Sequence, residues 1–327
     1  MLEPDLFFEK LSENHKTVID PTDVRKQLHE KLGKTPLESM DLDIQKLETT
    51  ECIGYTRERF VFQASEDLIV PVYVLTPHST ATSFSSVLAL HGHGKGSREL
   101  VGLLEDGSED QTEPGIHQHA AVQLVKKGMK VFVPEILGFG DRKLKRDKEK
   151  TNSCFAMAST LLMAGSTLVG VRVFEAKRTL DMMATFHDVK QDQIGLFGFS
   201  GGGLVAGLTS VLDQRVAATV LSGFTNTFKH SILAMDHCID NYIPDILSVA
   251  ELPELIGLIS PRKLFIEAGD EDRIFPIDGV REAVSRLETI YETNQVSQNL
   301  VIDVFQGGHT ISGRHSFDWL QIELKRQ

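Results

Sequence analysis

Residues 194–208, IGLFGFSGGGLVAGL, admit few folds. The stretch begins as a continuous apolar run, as in a strand covered on both faces, and ends as an apolar helix. Ser200 stands at the junction, boxed by Gly198, Gly201, Gly202 and Gly203. A strand and a helix that meet this abruptly bring their backbones into contact, so the neighbours must be small. The corner residue is then held in a strained conformation. Gly198-Phe199-Ser200-Gly201-Gly202 reads G-x-S-x-G, a nucleophile elbow with Gly198 and Gly202 as its small flanks. Such a corner lifts the hydroxyl above the sheet edge, at a helix N-terminus where partial positive charge favours an anion. The plainer alternative is a tight turn with an idle serine. The apolar lead-in QIGLFGF and the apolar run that follows favour the elbow.

Other segments repeat the strand type: SVLALHG, MKVFVPEI, RVAATVLSG, RKLFIEAGD and LVIDVF. Helical patterns lie between and after them: HQHAAVQLVKKG, GVRVFEAKRTLDMMATF, IDGVREAVSRLETIY and HSFDWLQIELKRQ. Strand–helix alternation predicts an α/β fold, a mainly parallel sheet with helices on both faces and reactive loops at the strands' carboxyl ends. RFVFQAS and LIVPVYVLTP read as an antiparallel hairpin before it. Residues 1–50 read as an N-terminal helical extension packed on the core, clearest in DPTDVRKQLHEKLG. There Asp20 caps, Pro21 opens the first turn, Gly33 stops the helix, and Val24, Leu28 and Leu32 form one apolar stripe. Residues 51–327 read as the main domain. Residues 95–115 are acidic and turn-rich, a mobile surface loop by pattern, and 224–260 read as a helical cap or a long crossover.

Composition narrows the function. The 327-residue chain carries a formal net charge of −12, which repels nucleic acid and anionic membranes. No apolar run reaches the ~18 residues of a spanning helix. The opening MLEPDLFFEKLSENH has acids where a signal peptide has its basic region, so a cytoplasmic protein is expected. Cys52, Cys154 and Cys238 form no CxxC and read as reduced, buried thiols.

A serine hydroxyl needs a base, and the base needs an orienting carboxylate. His309 follows a strand and two glycines in LVIDVFQGGHT, which lets its loop bend back over the sheet; His315 is the second choice. KLFIEAGDEDRIFP offers Asp272, which has room to turn towards the histidine, and Asp270 as the alternative. The order Ser200, Asp272, His309 is that expected with this elbow. The developing oxyanion needs two backbone N–H donors: Gly201, just after the nucleophile, and His93 in the loop LALHGHGKGS. Rival motifs fail on their own terms. After His91-x-His93 the next zinc-ligand positions hold Lys95 and Gly96. GHGKGS lacks the first glycine and the Ser/Thr of a phosphate loop. Gly201-x-Gly203-x-x-Ala206 is followed by a strand with no terminal acid for a ribose. Neither a cofactor nor a metal is expected.

Together these motifs resemble the α/β-hydrolase superfamily, and more narrowly its dienelactone-hydrolase-like and acetyl-xylan-esterase-like branch. LALHGHGKG, VFVPEILGFGDRK, GLFGFSGGG, ISPRKLFIEAGDEDRIFP and FQGGHT carry the resemblance, from about residue 86 to 310. It implies Ser200 as nucleophile, Asp272 as acid, His309 as base, and the LGFGDRK loop as a pocket wall. Dienelactone hydrolases proper have cysteine where this chain has Ser200, which points to ordinary ester hydrolysis. The expected lack of a signal peptide sits poorly with polymeric xylan as substrate, so a small acylated molecule is expected. A peptidase or amidase of the same fold is the alternative, and a non-catalytic binding protein on this scaffold a third reading.

Overall fold

The computed structural model describes residues 4–12, 20–33 and 37–326. These hold nine strands: β1 Gln45–Cys52, β2 Tyr55–Ser65, β3 Leu68–Pro77, β4 Phe84–Leu90, β5 Lys130–Pro134, β6 Val189–Phe199, β7 Val216–Ser222, β8 Lys263–Gly269 and β9 Leu300–Phe305. They also hold helices α1 Pro4–Ser12, α2 Pro21–Lys31, α3 Ser97–Leu100, α4 Ala120–Lys126, α5 Cys154–Met163 and α6 Leu168–Ala184. The series continues with α7 Gly201–Leu212, α8 Leu252–Gly257, α9 Ile277–Thr293 and α10 Ser316–Lys325. No helix among the described residues is long and apolar enough to cross a membrane.

The strands form one sheet in the order β1-β2-β3-β5-β4-β6-β7-β8-β9. β1, β2, β3 and β5 pair antiparallel, and the sheet is parallel from β5 across β4 to β9. Each central strand feeds both faces. In β4, Leu88 and Leu90 point into the layer with α2, α5–α8 and part of α9, while Val87 and Ala89 join α4 and α10 on the other side. This two-sided burial explains the unbroken apolar runs. The parallel register sets Leu90 beside Gly198, Phe199 beside Ser222 and Gly269 beside Phe305. The carboxyl ends of β4, β6, β7, β8 and β9 therefore finish at one level, and the loops leaving them can converge.

Helix α2 begins where the sequence indicates: Asp20 accepts the Thr22 N–H at 2.8 Å, and Val24, Leu28 and Leu32 are buried against the core. The purely helical reading of residues 1–50 needs correction at its end, because residues 45–52 form β1 on the sheet edge. That strand, QKLETTEC, is mostly solvent-exposed and has no apolar face to mark it; its backbone pairing with β2 defines it. The 95–115 segment is more anchored than its acidity suggests. It contains α3, and Leu100, Val101 and Leu103 are buried. Residues 224–260 are short turns with one α-helix, α8. Phe228, Ile232, Ile246, Leu252 and Leu255 from this stretch belong to the main apolar core.

Candidate active site

The β6–α7 corner is as tight as its glycines require. Ser200 sits at φ 54°, ψ −123°, a strained conformation for a non-glycine residue. A Cβ at Gly198 would lie 2.4 Å from the Gly202 carbonyl oxygen, and one at Gly202 only 2.3 Å from that of Leu90. The Ser200 N–H donates to the Ser222 carbonyl at 3.0 Å, which ties the corner to β7. Only 7% of the Ser200 surface is exposed.

His309 arrives from the loop after β9, and its Nε2 lies 2.9 Å from Ser200 Oγ. Its Nδ1 lies 2.7 Å from Asp272 Oδ2, in the loop after β8. A carboxylate only accepts, so Nδ1 carries the proton and Nε2 is free to accept from the serine hydroxyl. Asp272 is buried, and its other oxygen takes the Ile274 and Phe275 N–H groups at 2.8 and 3.0 Å. That leaves Oδ2 aimed at the imidazole. Phe199 and Phe275 lie against the imidazole ring, with centroids 4.9 and 5.7 Å away. Asp270 does something else: its Oδ1 accepts the Gly307 N–H at 3.0 Å and steadies the loop that carries His309. His315 stands just before α10, and among the described residues no hydrogen bond joins its side chain to Ser200, Asp272 or His309.

Gly201 opens α7, so its N–H is one of the donors a helix cannot satisfy internally. The loop after β4 folds over the serine, where a Cβ at Gly92 would come within 2.9 Å of Ser200 Cβ. Among the described residues no group accepts from the His93 N–H. Buried histidines hold this loop. The Gly92 N–H donates to His117 Nε2 at 3.1 Å, and the Ile136 N–H donates to His91 Nε2, also at 3.1 Å. Burial drives the His117 pKa down to about 3, so its acceptor nitrogen stays unprotonated. Glu135, after β5, accepts from the Ser97 N–H and Oγ, both at 2.9 Å. Burial would raise this carboxyl's pKa, but His91 and Ser97 outweigh it and hold the group low. In the LGFGDRK loop, Phe139 packs edge-on against both His91 and His93.

Sequence spacing gave no sign of one feature. The His93 side chain lies beside Gly201 and meets Cys154, Cys238 and Asp240, drawn from α5 and the 224–260 segment. Arg172 of α6 donates to Asp240 Oδ2 at 2.6 Å and to Cys154 Sγ at 3.3 Å. Burial would raise the Asp240 pKa, but Arg172 and His93 hold it well below the usual carboxylate range.

The chain matches the Abhydrolase family over residues 7–298. It belongs to that family. It therefore sits among the hydrolases, and the sheet described above is the α/β-hydrolase fold. The Bacillus subtilis (strain 168) protein named "Putative hydrolase YtaP" is 27% identical over 276 residues, covering 82% of this chain and 86% of that protein. Among solved structures, a Bacteroides fragilis protein described as a "putative acetyl xylan esterase" superposes with a TM-score of 0.79 at 16% identity. It covers 93% of this chain and 82% of its own. A glucuronoyl esterase from Solibacter usitatus gives 0.68 at 13% identity, covering 94% and 91%. At such identities the likeness establishes the shared fold.

Proposed function

We propose that this protein is a serine esterase acting on a small molecule that carries a short acyl ester. The observation that carries the reading is the unbroken relay from Ser200 Oγ through His309 to Asp272, with contacts of 2.9 and 2.7 Å. Ser200 attacks the ester carbonyl while His309 Nε2 takes its proton. The Gly201 and His93 N–H groups receive the oxyanion; each such donor typically contributes ~3–4 kcal/mol to the transition state. His309 then protonates the departing alkoxide, leaving an acyl group on Ser200. Water, deprotonated by the same nitrogen, releases the acid and restores the serine. Asp272 keeps the imidazole in the required tautomer and stabilises its cationic form. The esterase names among the structural relatives agree with the bond type.

The test is hydrolysis of short p-nitrophenyl esters by wild type and Ser200→Ala, with an aminoacyl-anilide in parallel. The reading requires ester turnover that falls about 10⁴-fold or more in the variant, with an unchanged circular-dichroism spectrum. Full activity in Ser200→Ala refutes the nucleophile, and preferential cleavage of the anilide refutes the ester assignment.

A further inference from the structure

We propose that His93, Cys154, Cys238 and Asp240 form a binding site for a thiophilic divalent cation of the zinc class, distinct from the hydrolytic relay. Each of these residues offers one donor atom, and the four atoms all lie within 4.8 Å of one another. A tetrahedral zinc with bonds of about 2.3 Å to sulfur and 2.0 Å to nitrogen or oxygen spaces its donors about 3.3–3.8 Å apart. A contraction of about 1 Å at the widest separation is enough. Two sulfurs, one imidazole and one carboxylate select zinc or a similar ion over magnesium or calcium, which need oxygen.

Two further observations point the same way. His93 Nε2 is itself shielded from water although its ring is partly exposed, and it points at Asp240 Oδ2 from 3.3 Å without forming a well-aligned hydrogen bond. The ring nitrogen and the carboxylate oxygen thus converge with neither in a well-formed hydrogen bond to the other, the arrangement of two ligands that face one ion. Charge also balances. Two thiolates, a carboxylate and a dication sum to −1, and the buried Arg172 guanidinium cancels that charge from contact distance. Asp240 Oδ2 has a second lone pair beyond the one Arg172 uses. Phe139 packs edge-on against the His93 ring and also lies under the Arg172 guanidinium, which screens one side of the cluster from water.

The four donors come from three separate parts of the chain: the loop after β4, the start of α5, and the turn at 238–240. A bound ion would pin those three segments together beside the elbow. The site does not depend on the esterase reading, and Ser200→Ala should bind metal as wild type does.

The experiment uses reduced, chelator-treated full-length protein. Zinc chloride is titrated against a chromophoric chelator, and cobalt(II) chloride is added in a separate optical titration. The proposal requires one equivalent of zinc and a thiolate-to-cobalt charge-transfer band with tetrahedral d–d absorption. Cys154→Ser/Cys238→Ser should lose the band and weaken zinc binding by at least about 100-fold, beyond what loss of an outer-shell partner causes. Should the double variant misfold by circular dichroism, the half-buried Cys238→Ser alone replaces it. No stoichiometric uptake by reduced wild type overturns the site. So does uptake that neither variant weakens, a cobalt spectrum without sulfur charge transfer, or a Cys154–Cys238 disulfide that forms while the reduced protein takes up no metal.

Discussion

Asp272→Asn probes the relay through an amide whose orientation the backbone decides. Asp272 Oδ1 accepts two N–H groups, from Ile274 at 2.8 Å and Phe275 at 3.0 Å. In the variant the amide oxygen must take that place, because an NH₂ group facing two donors would forfeit both bonds and leave buried donors unpaired. The difference favours one orientation by roughly 2–4 kcal/mol. The NH₂ then faces His309 Nδ1, which must accept. The ring proton moves to Nε2, where it points at Ser200 Oγ, and the base has no lone pair to offer. The variant also loses the charge-assisted bond that stabilises the imidazolium, about 1.5–3 kcal/mol. Together these effects raise the barrier by roughly 4–7 kcal/mol, a fall in kcat of about 10³–10⁵. Steady-state hydrolysis of p-nitrophenyl acetate measures it, with urea unfolding to show that the fold survives. Asp270→Asn is the companion variant. Asp270 is exposed, and among the described residues its side chain bonds only the Gly307 N–H, so kcat should stay within about threefold of wild type. Asp272→Asn within tenfold of wild type, or Asp270→Asn falling as far as Asp272→Asn, would refute the reasoning.

Other predictions concern packing and protons. Gly202→Ala places a methyl 2.3 Å from the Leu90 oxygen and 2.4 Å from that of His91, neither of which can yield without opening the β4–β6 junction. Urea titration should show a loss of about 1–3 kcal/mol or more, with esterase activity falling alongside. His117 has a folded pKa of about 3 against 6.5 when unfolded. Between those values the unfolded chain binds a proton that the folded chain refuses, so stability is intact above about 6.5 and drains away as pH falls. Urea unfolding at several pH values between 4 and 7 should give wild type a slope steeper by up to about 1.4 kcal/mol per pH unit than His117→Gln; equal slopes contradict the assignment. Arg142 and Glu175 form a buried bidentate pair at 2.6 and 2.7 Å, and Arg142→Met strands the carboxylate. A loss of about 3–5 kcal/mol is expected from the same assay.

The parts of this molecule legible in its sequence are those where local chemistry leaves no choice. The elbow announces itself because strand and helix come so close that Gly198 and Gly202 can carry no side chain. The central strands show as apolar runs because both faces are covered. His309 and Asp272 could be picked out because each follows such a run with a turn-forming stretch. Strand β1 could not, since its polar residues face water and only pairing with β2 makes it a strand. Helix α5 is equally silent: CFAMASTLLM is apolar along most of its length, yet Phe155 and Met163 are among its exposed residues. The His93, Cys154, Cys238 and Asp240 group is invisible for a different reason. Its members are spread from residue 93 to residue 240, and only the packing of α5 and the 238–240 turn around the β4 loop brings them together.

The strain at Ser200 and the placement of His309 have a common buried support. Glu267, on β8, is fully buried. Its Oε1 accepts from Ser222 Oγ at 2.7 Å and from the Ser312 N–H at 2.9 Å; its Oε2 accepts from the Gly313 N–H at 2.9 Å and Ser316 Oγ at 2.8 Å. Ser222 in turn receives the Ser200 N–H through its carbonyl, and the Gly223 N–H donates to the Glu267 carbonyl at 2.8 Å. One side chain thus joins the strand that holds the corner to the segment just past His309. Glu267, Ser222 and Ser316 in this network are buried, so its cost is met when the chain folds. A hydroxyl and an imidazole on loops 109 residues apart in sequence can then meet within hydrogen-bond distance without any ligand to draw them together. The strained backbone at Ser200 persists because relaxing it would break a buried hydrogen bond and drive Gly202 into the end of β4.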